Sequence, residues 1–171
     1  TSIILEKNGV KKSMSLMILA TFPLVFMALV LEFFNIIDLS RNLEIIAFAN
    51  MLFAILLFVS DRKMSRRKLS DITIKDALII GIWQSFAVFP GTSRSGASIT
   101  GARFLSFNRM DSIIISVILS LPSIALSSAY IAFKFVNSPY SEIDVNFMIY
   151  GVLFSFIISF FTLKLFIRLG E

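Results

Sequence analysis

Residues Ala77 to Phe107 read ALIIGIWQSFAVFPGTSRSGASITGARFLSF, and the fold turns on how that stretch meets a membrane. Ala77 to Phe89 is apolar apart from Gly81, Gln84 and Ser85, while Ser95 to Phe107 is rich in small and hydroxyl residues. Pro90-Gly91 stops the first half, because proline cannot continue a helix and glycine allows a sharp turn. Each half has about 13 residues, and apolar segments of roughly 10–14 residues are too short to cross a bilayer. Two half-helices joined by a polar turn predict a re-entrant hairpin over about 77–107, entering and leaving on one side. Irregular backbone at membrane depth is tolerated only where it is buried in protein or lines a wet cavity. The hairpin therefore predicts a site at its own turn.

The flanking sequence supplies longer runs. Met14 to Phe34 is apolar apart from Ser15, Thr21 and Glu32. At about 1.5 Å per residue it reaches roughly 30 Å, the thickness of the hydrocarbon layer. Pro23 within it is tolerable where neighbouring helices satisfy the freed carbonyl. Spans are predicted over about 14–34, 43–59, 112–133 (with Pro122 near its middle) and 147–167. The expected fold class is all-α, a polytopic membrane helix bundle with a re-entrant hairpin, in a single membrane domain covering 1–171. Composition agrees: of 171 residues, 57% are hydrophobic and 16% charged, with mean hydropathy +0.87, against roughly 25% charged in soluble domains. The chain opens at Thr1 and stops just after an apolar run, and is read as a piece of a longer protein.

Charge placement sets the orientation. With the N-terminus inside and the hairpin entering from inside, all 16 Lys and Arg except Arg41, Lys134 and Arg94 fall on the cytoplasmic side. The positive-inside rule favours that arrangement. The basic run Arg62-Lys63-Met64-Ser65-Arg66-Arg67-Lys68 reads as a topology anchor with some attraction to anionic lipid. It has no interleaved aromatic residue, so nucleic acid is not an expected partner. Arg103, Asn108, Arg109 and Asp111 read as a solvated loop, and Trp83 as packing or an interfacial anchor. Cys and His are both absent, which removes disulfides, thiolate sites and the commonest general base and metal ligand.

The chemistry concentrates in Pro90-Gly91-Thr92-Ser93-Arg94-Ser95-Gly96. A cation at membrane depth costs at least ~2.5–3.5 kcal/mol on insertion scales, and no acidic residue lies between Ala77 and Phe107. A phosphate would supply the missing anion, bound bidentately by guanidinium. Thr92, Ser93, Ser95 and Ser98 offer hydroxyls, Gly96 would let a ligand approach the backbone, and the second half-helix would present free N–H groups. Ser and Gly also serve as packing residues between membrane helices. Gln84 is either a substrate-phosphate contact or a hydrogen bond to another helix.

Gly81-Ile82-Trp83-Gln84-Ser85-Phe86-Ala87-Val88-Phe89-Pro90-Gly91-Thr92-Ser93-Arg94-Ser95-Gly96-Ala97-Ser98 resembles the second signature of the undecaprenyl-diphosphate phosphatases, the bacitracin-resistance proteins, whose pattern is Pro-Gly-X-Ser-Arg-Ser-X-X-Thr. Ser98 stands where the family has Thr, and keeps the hydroxyl. Leu119-Ser120-Leu121-Pro122 and the upstream spans also fit. The family's first signature, a Glu-rich element with a His in an N-terminal re-entrant hairpin, is absent here. The resemblance implies hydrolysis of undecaprenyl diphosphate to undecaprenyl phosphate, recycling the lipid carrier for peptidoglycan synthesis, in the bacterial plasma membrane. It also implies a divalent cation, Mg²⁺ or Ca²⁺, whose ligands would lie in the missing signature, a site facing the extracytoplasmic side, and one half of an inverted repeat. Arg94 and Ser93 are then the candidate catalytic residues, Arg94 clamping the diphosphate. Thr92, Ser95, Gly96, Ser98 and Gln84 are candidate substrate-phosphate contacts. A polyprenyl-phosphate transporter or flippase, or a non-catalytic lipid-diphosphate binder, would share the buried arginine and the hairpin.

Overall fold

The structure is a computed structural model that describes residues 7–34, 36, 42–136 and 145–169. The described residues form six α-helices: α1 (Lys7–Phe33), α2 (Leu43–Asp61), α3 (Ile74–Ser85), α4 (Arg94–Phe104), α5 (Arg109–Val136) and α6 (Val145–Leu169). Short 3₁₀ turns occupy Leu69–Asp71 and Phe86–Val88. Local sequence explains the starts. Asn42 accepts the Glu44 N–H ahead of α2. Thr73 and Asp76 form a reciprocal capping box on α3, and Ser93 caps α4, each satisfying amides that the first turn leaves open.

Leu43–Asp61 and Arg109–Lys134 are long and apolar enough to cross a membrane, while the apolar stretches Ile18–Phe33 and Phe147–Thr162 are shorter. Several helices overrun the predicted apolar limits; α1 begins at Lys7, well before Met14. Hydrocarbon thickness limits the apolar run, not the helical backbone, which continues into the polar interface. Pro23 and Pro122 lie inside α1 and α5, and neither ends its helix.

The chain divides into two compact units, residues 1–127 and 128–171. In the first, α3 and α4 fold back on each other: Gln84 meets Ser98, and Trp83 stacks on Phe104 with ring centroids 5.3 Å apart. A Cβ built on Gly101 would fall 2.7 Å from the Trp83 ring, so the indole packs in the space that a side chain there would fill. Gly81 lets α3 lie directly on α1, where a Cβ would sit 2.2 Å from the Ala20 carbonyl oxygen. The core gathers Leu16 and Ala20 of α1, Ala77 and Ile80 of α3, Ala102 of α4, Ile115 and Leu119 of α5, and Ile72 and Phe107 from the connecting loops. Phe22, Phe26, Phe48 and Phe58 are exposed on α1 and α2, as lipid-facing side chains would be. In the second unit, Phe156 and Phe160 stack along α6.

The hairpin has a base and a tip, and α2 serves as its ruler. At the tip, Gly91 approaches the Ile46 backbone, near the start of α2. At the base, Arg103 reaches the carbonyl oxygens of Asp61 and Lys63, at the end of α2. Ile46 and Asp61 are about 22 Å apart along the helix at 1.5 Å per residue.

Candidate functional site

At the tip, α3 runs into the 3₁₀ turn Phe86–Val88, and Phe89 is extended (φ −75°, ψ 130°). Pro90 and Gly91 follow. Gly91 has φ +91°, a left-handed conformation that disfavours side chains, and a Cβ there would also lie 2.4 Å from the Ile46 carbonyl oxygen. Two constraints therefore demand glycine: the turn and its close approach to α2. The Thr92 N–H closes the turn on the Phe89 carbonyl at 3.2 Å.

Ser93 caps α4, its Oγ accepting the Gly96 N–H at 3.2 Å. The missing Cβ of Gly96 would lie 3.1 Å from the Ser93 Cβ and 3.2 Å from its Oγ. Smallness at Gly96 therefore keeps the cap compact. The N–H groups of Arg94 and Ser95, in the first turn of α4, are left to other partners by helix geometry.

Arg94 opens α4 and is partly exposed. Its guanidinium has no hydrogen-bond or charged partner among the described residues. Ser95 beside it is exposed, and its carbonyl lies 3.5 Å from the Ser116 Oγ of α5. Just inside the tip, Thr92 Oγ1 is buried with no hydrogen-bond partner among the described residues. Gln84 is fully buried: its Oε1 accepts from Ser98 Oγ at 3.3 Å, while its Nε2 has no partner among the described residues. A buried amide nitrogen without an acceptor is costly, by roughly 1–3 kcal/mol, so an orphaned Nε2 marks a place where an acceptor belongs. The single proton of Ser98 Oγ has two acceptors within the hairpin, the Arg94 carbonyl at 3.0 Å and Gln84 Oε1 at 3.3 Å, and serves one of them at a time. It orients Gln84 and does not face outward.

The structure thus brings Thr92, Ser93, Arg94 and Ser95 to one edge of the tip. Gln84 and Ser98 lie behind them, joined by a hydrogen bond. Gln84 Nε2 and Thr92 Oγ1 gain their interest from burial without partners, which sequence cannot show.

Arg103 requires a correction. Expected in a solvated loop, it is 2% exposed. Its Nη1 donates to Phe107 O (2.6 Å) and Ser65 Oγ (2.8 Å), and its Nη2 to Lys63 O (2.7 Å) and Asp61 O (2.8 Å). Its Nε faces the Asp61 carboxylate at 3.3 Å. The signal was its setting, a lone cation inside Gly101-Ala102-Arg103-Phe104-Leu105, which must find acceptors wherever it is buried. Asp111 is likewise engaged, accepting from Leu69 N–H and Asn108 Nδ2. Arg109 is exposed, as expected, and pairs with Asp61 at 2.6 Å.

No group of three or more carboxylates gathers among the described residues. The tip offers hydroxyls, an amide and a guanidinium. That donor set suits an anion; carboxylate oxygens, the usual ligands of a hard divalent cation, are not part of it.

The family model described as "Bacitracin resistance protein BacA" matches residues 3–171. A protein of Pelagibacter ubique named undecaprenyl-diphosphatase is 34% identical over 167 residues, covering 96% of this chain and 64% of its own length. Proteins with the same name from Ruegeria pomeroyi and Saccharophagus degradans are each 40% identical, over 124 and 136 residues, covering 72% and 79% of this chain and 46% and 49% of their own lengths. The chain therefore spans less than two thirds of the length of these curated relatives.

Proposed function

The chain belongs to the bacitracin resistance protein BacA family, and on that premise we propose that its helical hairpin holds the terminal phosphate of undecaprenyl diphosphate for hydrolysis to undecaprenyl phosphate and inorganic phosphate. One observation carries the reading: the Arg94 guanidinium stands at the start of α4 without a partner among the described residues, in a chain built of apolar helices. Arg94 grips two phosphate oxygens with its planar fork. The open N–H groups of the first turn of α4 add directed donors and the positive end of the helix dipole. Thr92 Oγ1, buried and without a partner among the described residues, adds a donor from behind, and the fully buried Gln84 braces the hairpin through Ser98. Such preorganised donors stabilise charge that builds on the transferring phosphoryl group. Ser93 shapes the cradle, since one lone pair of its hydroxyl already receives Gly96 N–H. No described carboxylate or histidine stands ready to activate it, so its role is binding. The tip itself has no carboxylate to hold Mg²⁺ or Ca²⁺; the resemblance puts such ligands in the family's first signature, and the tip's own side chains and amides bind the phosphate.

The same reading makes the hairpin re-entrant. α3 has 12 residues and α4 has 11, about 18 Å and 16 Å of rise, less than a bilayer core. The cation-rich base favours the cytoplasmic side, and the tip then lies beside Ile46, near the opposite end of α2. A diphosphate headgroup would reach Arg94 from the extracytoplasmic side of the plasma membrane. Cysteines placed at Ser70 and Asn108 then label from the same side; labelling from opposite sides overturns the re-entrant path.

The decisive experiment measures both retention of undecaprenyl diphosphate and release of phosphate in detergent, for the chain and its Arg94→Ala and Arg94→Lys variants. Release lost in both variants supports a bidentate clamp in a phosphatase. Retention without release, abolished by Arg94→Ala, moves the reading to a lipid-diphosphate binder or flippase where a form of the protein that carries the family's first signature also releases no phosphate. Retention and release unchanged in Arg94→Ala overturn the clamp.

A further inference from the structure

The hairpin base carries a second polar assembly, unrelated to the chemistry at the tip. The end of α2, the starts of α3 and α5 and the end of α4 converge there. Asp61 pairs with Arg103 and Arg109, Arg67 pairs with Asp76, and Asp111 accepts the Leu69 N–H. The basic loop between α2 and α3 is tied down by three backbone hydrogen bonds: Arg66 N–H and Arg67 N–H both donate to Ser106 O, and Asn108 N–H donates to Arg67 O.

Inside this assembly the carboxylates are all engaged. Asp61 and Asp76 are ion-paired, Asp71 accepts Lys68 N–H at 2.9 Å, and Asp111 accepts from Leu69 and Asn108. The cations are not exhausted. Arg66, Lys68 and Lys75 are exposed, and none receives a side-chain ion pair among the described residues. Arg62 is also exposed, and its guanidinium lies 4.4 Å from the Phe58 ring centroid. Exposed apolar side chains interleave with them: Phe58 (59%), Met64 (71%), Ile74 (58%) and Met110 (69%). A membrane interface suits that mixture, because methylene-rich side chains enter the acyl boundary while cations stay among headgroups.

We propose that this base is a preorganised binding surface for anionic phospholipid, with Arg62, Arg66, Lys68 and Lys75 receiving headgroup phosphates while Phe58, Met64, Ile74 and Met110 meet the acyl region. A flexible basic tail would attract anionic lipid only diffusely. Here the buried Arg103 and the backbone bonds to Ser106 hold the loop in one conformation, so the headgroup meets cations already in place.

The test is native mass spectrometry of the chain released from micelles containing equal amounts of phosphatidylglycerol and phosphatidylcholine with matched acyl chains. The wild-type chain retains phosphatidylglycerol preferentially. The Arg66→Gln/Lys68→Gln/Lys75→Gln variant loses that preference by roughly tenfold or more, with an unchanged melting temperature in phosphatidylcholine alone. Arg94→Gln keeps the preference, which separates the base from the tip. Equal retention of the two lipids by the wild-type chain overturns the proposal. Displacement of phosphatidylglycerol by inorganic phosphate overturns it too, since the surface would then bind a free anion; retention in excess phosphate supports the lipid.

Discussion

α4 carries an arginine at each end, and the two live in opposite circumstances. Arg103 at the base is 2% exposed and donates four hydrogen bonds to oxygens from Asp61, Lys63, Ser65 and Phe107. Arg94 at the tip is partly exposed, and its side chain has no partner among the described residues. Composition does not separate them, since both sit among small or apolar neighbours. What separates them is supply. The base has loops whose carbonyls point inward, whereas at the tip the nearest loop is already closed by Thr92 N–H on Phe89 O. A cation surrounded by protein acceptors is structural. One left without them among the described residues is the group that the proposed phosphate would occupy.

The contrast breaks most sharply at Arg103. Arg103→Ala removes the cation from a buried network and strands its acceptors, and should cost about 3–5 kcal/mol in thermal or denaturant unfolding in detergent. A loss below about 1 kcal/mol would mean that the base is held by something else. Arg94→Ala should do the reverse. Unfolding should change by no more than about 0.5 kcal/mol, while phosphate release falls on the order of 10²–10³-fold, as for a lost charge-stabilising donor. Equal thermal effects at both arginines would erase the distinction between base and tip.

Gly91→Ala probes the link between tip and α2. A side chain at φ +91° and 2.4 Å from the Ile46 carbonyl oxygen should destabilise by about 1–3 kcal/mol and lower lipid retention with it, because Arg94 follows three residues later. Intact stability with lost retention would show that the turn moved without unfolding.

The smallest effect is a pH dependence at the base. Burial pushes the Asp76 carboxyl up, but hydrogen bonds from Arg67 and Thr73 outweigh it and hold the group below the ordinary carboxylate range. The folded state therefore binds this proton less readily than the unfolded chain. The contribution is present above the unfolded value of about 3.9 and is lost as pH falls through the lower folded value. An unfolding series descending through a pH of about 4 should show that decline, and Asp76→Asn should lower stability at neutral pH and flatten the slope. The tip, with no carboxylate between Ala77 and Phe107, should leave the acid limb unaltered when Arg94 is replaced.

The helical class and the turn were legible in sequence because both depend on short-range rules. Apolar run length follows from bilayer thickness, and Pro90-Gly91 halts a helix whatever surrounds it. The candidate heptapeptide stood out for the same reason: an arginine set in an apolar segment with no acidic residue nearby in sequence calls for an anion. Three things were decided only by tertiary structure. The partners of Arg103 come from Asp61, Lys63 and Ser65, about forty residues away in the chain, so its loop-like setting concealed a buried clamp. Ser98 looks like a ligand group in sequence, yet it is buried and its hydroxyl is engaged by Gln84 and the Arg94 carbonyl. The depth of the tip beside Ile46 depends on how α2 packs along the hairpin. A sequence shows which groups need partners, and packing decides whether the protein provides them or leaves the place to a ligand.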